Sequence, residues 1–134
     1  RLNFARKLTI NNKKIKVLDL EYVNRLFSSY KSLKFLKSKS RNTKFVWLMG
    51  SDNLLNFNKW LNAKQISKTF PVAVVERPSY SYKEINCLGA NVLGKRLRKI
   101  KLSNFNHNFS SWTFIRDKLN NISSTKIRGL DTKH

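Results

Sequence analysis

Two stretches decide the architecture: Phe45-Val-Trp-Leu-Met-Gly50-Ser-Asp52 and Pro71-Val-Ala-Val-Val-Glu-Arg-Pro78. Each opens on an unbroken apolar run and closes on a turn signal, Gly50 in the first and Arg77-Pro78 in the second. Short apolar runs without alternation suit strands covered on both faces, as in a parallel sheet. Pro71 stands at the first position of its run, where a strand tolerates it. Between the two runs, Asp52 to Phe57 and Ala63 to Phe70 read as short helices, the second with Ile66 and Phe70 on one side. Strand, helix and strand at this spacing make a βαβ unit.

Outward from that centre the alternation continues. Arg1 to Leu8 reads as the tail of a helix, with Leu2, Ala5 and Leu8 at spacing three, broken by Asn11-Asn12. Ile15 to Leu20 reads as a strand and Ser29 to Lys39 as a helix. On the other side, Tyr82 to Lys99 reads as a longer helical stretch weakened by Gly89 and Gly94, and Trp112 to Ile115 as a last strand. Ser123 or Ser124 reads as a helix N-cap before Thr125-Lys-Ile-Arg128. Three βαβ units in a row predict a doubly wound α/β sheet in one domain over residues 1–134. Such sheets bind ligands beyond the carboxyl ends of their strands, which selects Gly50–Asp52, Glu76–Pro78 and Ser123–Arg128.

Composition narrows the function classes. The 134 residues carry 28 Lys+Arg against 7 Asp+Glu, a net charge of +21, with 40% hydrophobic residues. That apolar fraction, with 9 Phe, 4 Tyr and 3 Trp, is enough for a core and argues against wholesale disorder. One Cys leaves no internal disulfide framework and no multi-Cys zinc site. The two His, His107 and His134, make no His-rich metal centre, so no metal ligands are assigned. No apolar run approaches the roughly 20 residues that cross a bilayer, and nothing at the start reads as a signal peptide. The expected setting is therefore soluble and cytoplasmic, without a membrane partner. The strong positive charge fits a nucleic-acid binder or a polyanionic small substrate. It also fits general over-use of Lys and Asn. Lys31, Lys34 and Lys37 recur on one side of the expected helix, opposite Leu33 and Leu36, as on a solvated amphipathic surface helix.

The strand ends carry the chemistry. Gly50 allows close backbone approach to a ligand, and Asp52 can accept hydrogen bonds from ribose hydroxyls. The same tripeptide also suits a turn with Asp at a helix start. Trp60 offers a flat face for a heterocycle, or a packing residue under the sheet. Trp47, inside the apolar run, is assigned to the core. Arg77 would project from the strand end toward a phosphate or carboxylate. Ser124 and Thr125 bring hydroxyls and free N–H groups to a helix start, an anion site that Arg128 reaches one turn later.

The order Gly50-Ser-Asp-Asn-Leu-Leu-Asn-Phe-Asn-Lys-Trp60, then Ile66, then Pro71-Val-Ala-Val-Val-Glu-Arg-Pro78, then Ile122-Ser-Ser-Thr-Lys-Ile-Arg128 resembles the bacterial nicotinate-nucleotide adenylyltransferases. That family belongs to the nucleotidyltransferase superfamily, with a Rossmann-like fold. Lys16-Val-Leu-Asp-Leu-Glu21 matches its strand before the Thr-rich helix start. The family's Tyr-Thr-x-x-Thr-Leu run stands here as Ser28-Ser29-Tyr30-Lys31-Ser32-Leu33. The Tyr is lost, and hydroxyls are kept at Ser29 and Ser32. The family's phosphate-binding histidine motif is not in this sequence, and Arg1 is not Met. The expectation is an N-terminally truncated, catalytically dead domain whose catalytic histidines lie upstream of residue 1.

The resemblance implies transfer of an adenylyl group from ATP to nicotinate mononucleotide, giving deamido-NAD and pyrophosphate, with Mg²⁺ accompanying ATP. It implies ATP contacts at Gly50, Asp52, Ser124, Thr125 and Arg128, and nicotinate-nucleotide contacts at Ser29, Trp60 and Arg77. A homo-oligomer is left open. Two rivals use the same residues: a non-catalytic basic nucleic-acid-binding α/β module, for which no recognisable motif is present, and another adenylyltransferase of the superfamily, such as one acting on a pantetheine phosphate.

Overall fold

The computed structural model describes residues 2–78, 85–97 and 110–116. The chain divides into two compact units, residues 1–43 and 44–134, each taken by itself.

The first unit is helical. α1 spans Leu2–Thr9, and the Thr9 hydroxyl donates back to the Ala5 carbonyl at 2.9 Å. α2 is the single turn Leu20–Val23, and α3 spans Ser29–Lys39. Ser28 begins α3 in extended conformation, its hydroxyl accepting the Lys31 N–H at 3.4 Å, the usual satisfaction of an otherwise unpaired helix donor. Ser32, buried on the inner side of α3, donates its hydroxyl to Glu21 Oε1 at 2.8 Å and ties α2 to α3. Lys31, Lys34 and Lys37 lie on the exposed side while Leu33 and Leu36 are half-buried, as the spacing predicts.

One expected strand is missing here. Residues 15–20 form no strand; Ile15 and Leu18 are 51% and 58% exposed. Local turn chemistry wins instead. The Asn12 side chain accepts the Lys14 N–H, the Asn12 carbonyl accepts the Ile15 N–H, and Asp19 starts α2 by accepting the Val23 N–H.

The second unit is α/β. Its four strands, β1 (Trp47–Gly50), β2 (Val72–Val75), β3 (Lys95–Arg96) and β4 (Ser111–Ile115), lie in the order β1-β2-β4-β3, every neighbouring pair parallel. α4 (Ser51–Asn56), a 3₁₀ turn (Phe57–Lys59) and α5 (Ala63–Thr69) connect β1 to β2, and α6 (Leu88–Leu93) precedes β3. The expected parallel α/β sheet is observed, and no helix among the described residues is long and apolar enough to cross a membrane.

β2, flanked by β1 and β4, is buried along Val72–Val74, as its continuous apolar run requires. β1 has one described neighbour, and Leu48 is 59% exposed, so the expectation of cover on both faces fails there. Leu54, Phe57, Ile66, Leu93 and Trp112 are the largest side chains sealed between sheet and helices. Trp112 also donates its indole N–H to the Gly94 carbonyl at 3.2 Å.

The long helix expected over Tyr82 to Lys99 is cut short. α6 ends at Leu93, Gly94 adopts φ +84°, a conformation side-chain-bearing residues rarely take, and Lys95–Arg96 then enter the sheet. Residues 82–84 and 98–99 of that stretch lie outside the described residues.

Candidate nucleotide site at the strand ends

The parallel register runs Trp47–Val72, Leu48–Ala73, Met49–Val74 and Gly50–Val75. The carboxyl ends of β1 and β2 therefore stand side by side, and the segments leaving them meet. Asp52, in the first turn of α4, and Arg77, two residues beyond β2, form an ion pair with Nη1 to Oδ2 at 3.0 Å. Their side chains are 28% and 58% exposed, so the pair is half in solvent and adds little to stability. The other Asp52 oxygen, Oδ1, is buried and has no hydrogen-bond partner among the described residues. It is an acceptor without a donor, and buried acceptors are nearly always satisfied.

Gly50 makes this closeness possible. A β-carbon at Gly50 would overlap Asp52 Oδ1 and stand 2.5 Å from Arg77 Nε. The absence of a side chain lets an anionic and a cationic group converge over bare backbone. Gly50 itself is in ordinary extended conformation (φ −76°, ψ 156°), so it serves here through space rather than through backbone freedom.

Ser51, which the sequence alone does not single out, is fully buried, and its hydroxyl accepts the Arg77 N–H at 3.0 Å. Only its place between Gly50 and Asp52 hints at a role.

Trp60 belongs to a different cluster. Its ring centroid is 5.5 Å from that of Trp47 and 5.8 Å from that of Phe57, both tilted, and Trp47 lies 6.0 Å from Phe57. Trp47 opens β1, about 10 Å of strand away from Gly50 at ~3.3 Å per residue. Trp60 is half-buried, so part of its surface stays open. Trp47 is half-buried too, which corrects its assignment to the core: it is one wall of an aromatic cluster.

Ser29 is the first residue of α3 in the first unit. With Glu21, Tyr22, Leu26, Phe27 and Ser28 it lines a shallow cavity of about 450 Å³. Ser124, Thr125 and Arg128 lie outside the described residues. The structure thus brings together Gly50, Asp52 and Arg77 of the expected residues, and adds Ser51.

The chain is similar to known proteins in sequence and in fold. In sequence, the chain is similar to the probable nicotinate-nucleotide adenylyltransferase of Rhizobium meliloti strain 1021, at 31% identity over 119 residues, covering 87% of this chain and 63% of the relative. It is similar to the protein of the same name from Agrobacterium fabrum strain C58, at 28% over 132 residues, covering 89% and 65%. The chain therefore spans less than two thirds of the length of these curated relatives. In fold it is similar to a Plasmodium falciparum nicotinic acid mononucleotide adenylyltransferase solved in complex with NaAD, with a TM-score of 0.67 and 23% identity over 98% of this chain and 60% of that one. The same enzyme complexed with APC gives a TM-score of 0.65 at 22% identity, over 95% and 59%. A family model described as cytidylyltransferase-like matches residues 1–130. Since that match takes in both strand ends and the helices between them, the chain belongs to the cytidylyltransferase-like family.

Proposed function

We propose that this chain forms the nucleotide-binding rim of a nicotinate-nucleotide adenylyltransferase of NAD biosynthesis. In that reaction a phosphate oxygen of nicotinate mononucleotide attacks the α-phosphorus of ATP. The bond to the β-phosphate breaks, and deamido-NAD and pyrophosphate leave. Catalysis of this kind consists mostly of positioning and charge neutralisation. Mg²⁺ would arrive with ATP, held mainly by its phosphates.

The observation that carries the reading is the meeting of Gly50, Asp52 and Arg77 at two neighbouring strand ends, with Asp52 Oδ1 buried and unpartnered among the described residues. A ribose hydroxyl is the donor that oxygen lacks. Arg77 exchanges Asp52 Oδ2 for a phosphate or carboxylate of the mononucleotide, to which it turns its planar fork of donors. Trp60 would present its open face to the nicotinate ring. Ser124, Thr125 and Arg128 would hold the ATP phosphates. The names of the two bacterial relatives support this choice of substrates over a pantetheine phosphate.

Titration calorimetry with ATP, nicotinate mononucleotide and deamido-NAD tests the reading. Deamido-NAD should bind more tightly than either half, and Asp52→Ala should weaken it by about 1.5–3 kcal/mol, the worth of hydrogen bonds to a charged group. Tighter binding of dephospho-coenzyme A would move the protein to the pantetheine branch. Binding of oligonucleotide with a steep salt slope and no response to deamido-NAD would make it a nucleic-acid module.

A further inference from the structure

We infer that Ser51 is a positioning residue for the mononucleotide half of the site, acting through Arg77; this rests on the function proposed above. The β1–β2 register ends at the pair Gly50–Val75. One residue beyond Gly50, the buried Ser51 hydroxyl takes the place of a strand partner and accepts the N–H of Arg77, two residues beyond Val75, at 3.0 Å, across 26 residues of chain. The parallel alignment is thereby carried past the end of the ladder. Consecutive residues of α4 hold Arg77 at both ends, Ser51 by its main chain and Asp52 by its guanidinium.

The two holds differ in what a ligand does to them. The guanidinium pair is half exposed and is given up when a ligand anion takes Arg77. The Ser51 bond is part-buried, with its acceptor fully buried, and involves no ligand-facing atom, so it persists. It keeps the origin of the Arg77 side chain fixed while the guanidinium changes partner. Without it the Arg77 N–H loses its acceptor, the turn into Pro78 shifts, and the guanidinium starts its swing from the wrong place. A serine suits the position because the space is closed and the acceptor must be short: Ser51 has no measurable exposure.

The test uses the 134-residue chain and two probes, nicotinate mononucleotide and ATP, titrated separately by calorimetry. Ser51→Ala and the near-isosteric Ser51→Cys, whose sulfur is a weak acceptor, should each weaken mononucleotide binding about tenfold and ATP binding less than threefold. In an Arg77→Ala background, adding Ser51→Ala or Ser51→Cys should produce no further loss of mononucleotide binding, because neighbours acting as one unit are not additive. Should the alanine variant fail to fold, the cysteine variant carries the same cycle. Equal losses for both probes, full additivity with Arg77→Ala, or a cysteine variant indistinguishable from wild type would overturn the inference and leave the proposed function standing. A wild-type chain that binds no mononucleotide would remove both.

Discussion

Replacing Gly50 by alanine separates what the strand-end site does for binding from what it does for stability. The new β-carbon would overlap Asp52 Oδ1 and stand 2.5 Å from Arg77 Nε and 3.0 Å from Arg77 Cδ. Nothing in the backbone resists, since φ −76° and ψ 156° are open to alanine. Every clashing atom belongs to a side-chain end. Arg77, 58% exposed, can swing outward and give up an ion pair worth at most about 1 kcal/mol, and toward the low end at this exposure. Turning Asp52 off its rotamer adds roughly 0.5–1.5 kcal/mol. Losing a glycine from the unfolded chain returns about 0.4–1 kcal/mol. The net destabilisation is about 1 kcal/mol, or roughly 3–5 °C in Tm for a chain of this size. Binding suffers more, because the hydrogen bonds to a charged Asp52 are worth about 1.5–3 kcal/mol, a tenfold to hundredfold loss. Thermal melting by circular dichroism and calorimetric titration of deamido-NAD read the two effects separately. Gly50→Ala that binds like wild type would refute the site. A Tm drop beyond about 10 °C would refute the view that the clash falls on soft side-chain ends.

Gly89→Ala should behave oppositely: its β-carbon would overlap the main-chain carbonyl oxygen of Leu54 and lie 3.1 Å from Phe57 Cβ, both in the sealed core. A loss of about 3 kcal/mol or more, with unchanged affinity per folded molecule, is expected in urea titration. Trp60→Ala should raise the nicotinate mononucleotide concentration needed for half-saturation far more than that of ATP; equal effects would make Trp60 purely a partner of Trp47 and Phe57. Ser28→Ala, removing the acceptor for the Lys31 N–H, should cost about 1 kcal/mol of α3 stability, visible as lost helical ellipticity. Trp112→Ala should cost about 3–5 kcal/mol, since the indole is 2% exposed and its N–H bond to Gly94 goes with it.

Local patterning is a sound guide where a segment's partners lie close in sequence, and misleads where they do not. α3, α5 and β2 declare themselves: Lys31 and Lys34 against Leu33 and Leu36, Ile66 with Phe70, and a valine-rich run for a strand flanked on both sides. β1 has an equally apolar run, yet Leu48 is largely exposed, because the sequence of a strand does not say which elements cover its two faces. Ile15 to Leu20 departs from expectation for a related reason. A strand is a ladder shared with a partner, whereas the Asn12 turn and the Asp19 helix start need only residues two to four away. Gly94 reads in sequence as a weak point in a helix, whereas its positive φ is the turn that sends Lys95 into the sheet. Of the site, Gly50, Asp52 and Arg77 are legible because a parallel sheet turns its strand ends into a common rim. Ser51 is not, because its meaning lies in one hydrogen bond to a main-chain group 26 residues away.

The site's charge also differs from the chain's. With 28 basic residues and 7 acidic ones, random placement would leave most strand ends positively charged, and any polyanion would be drawn to them. Here one of the few acids is placed where it cancels the arginine at the rim. In the free site, Asp52 and Arg77 neutralise each other across 3.0 Å. A bare phosphate gains little there, since it must displace a carboxylate already in place. A ligand that brings a hydroxyl for Asp52 together with an anion for Arg77 satisfies both partners as it separates them. On the function proposed above, the pair would select for a nucleotide carrying both groups over the many polyanions that a +21 surface attracts.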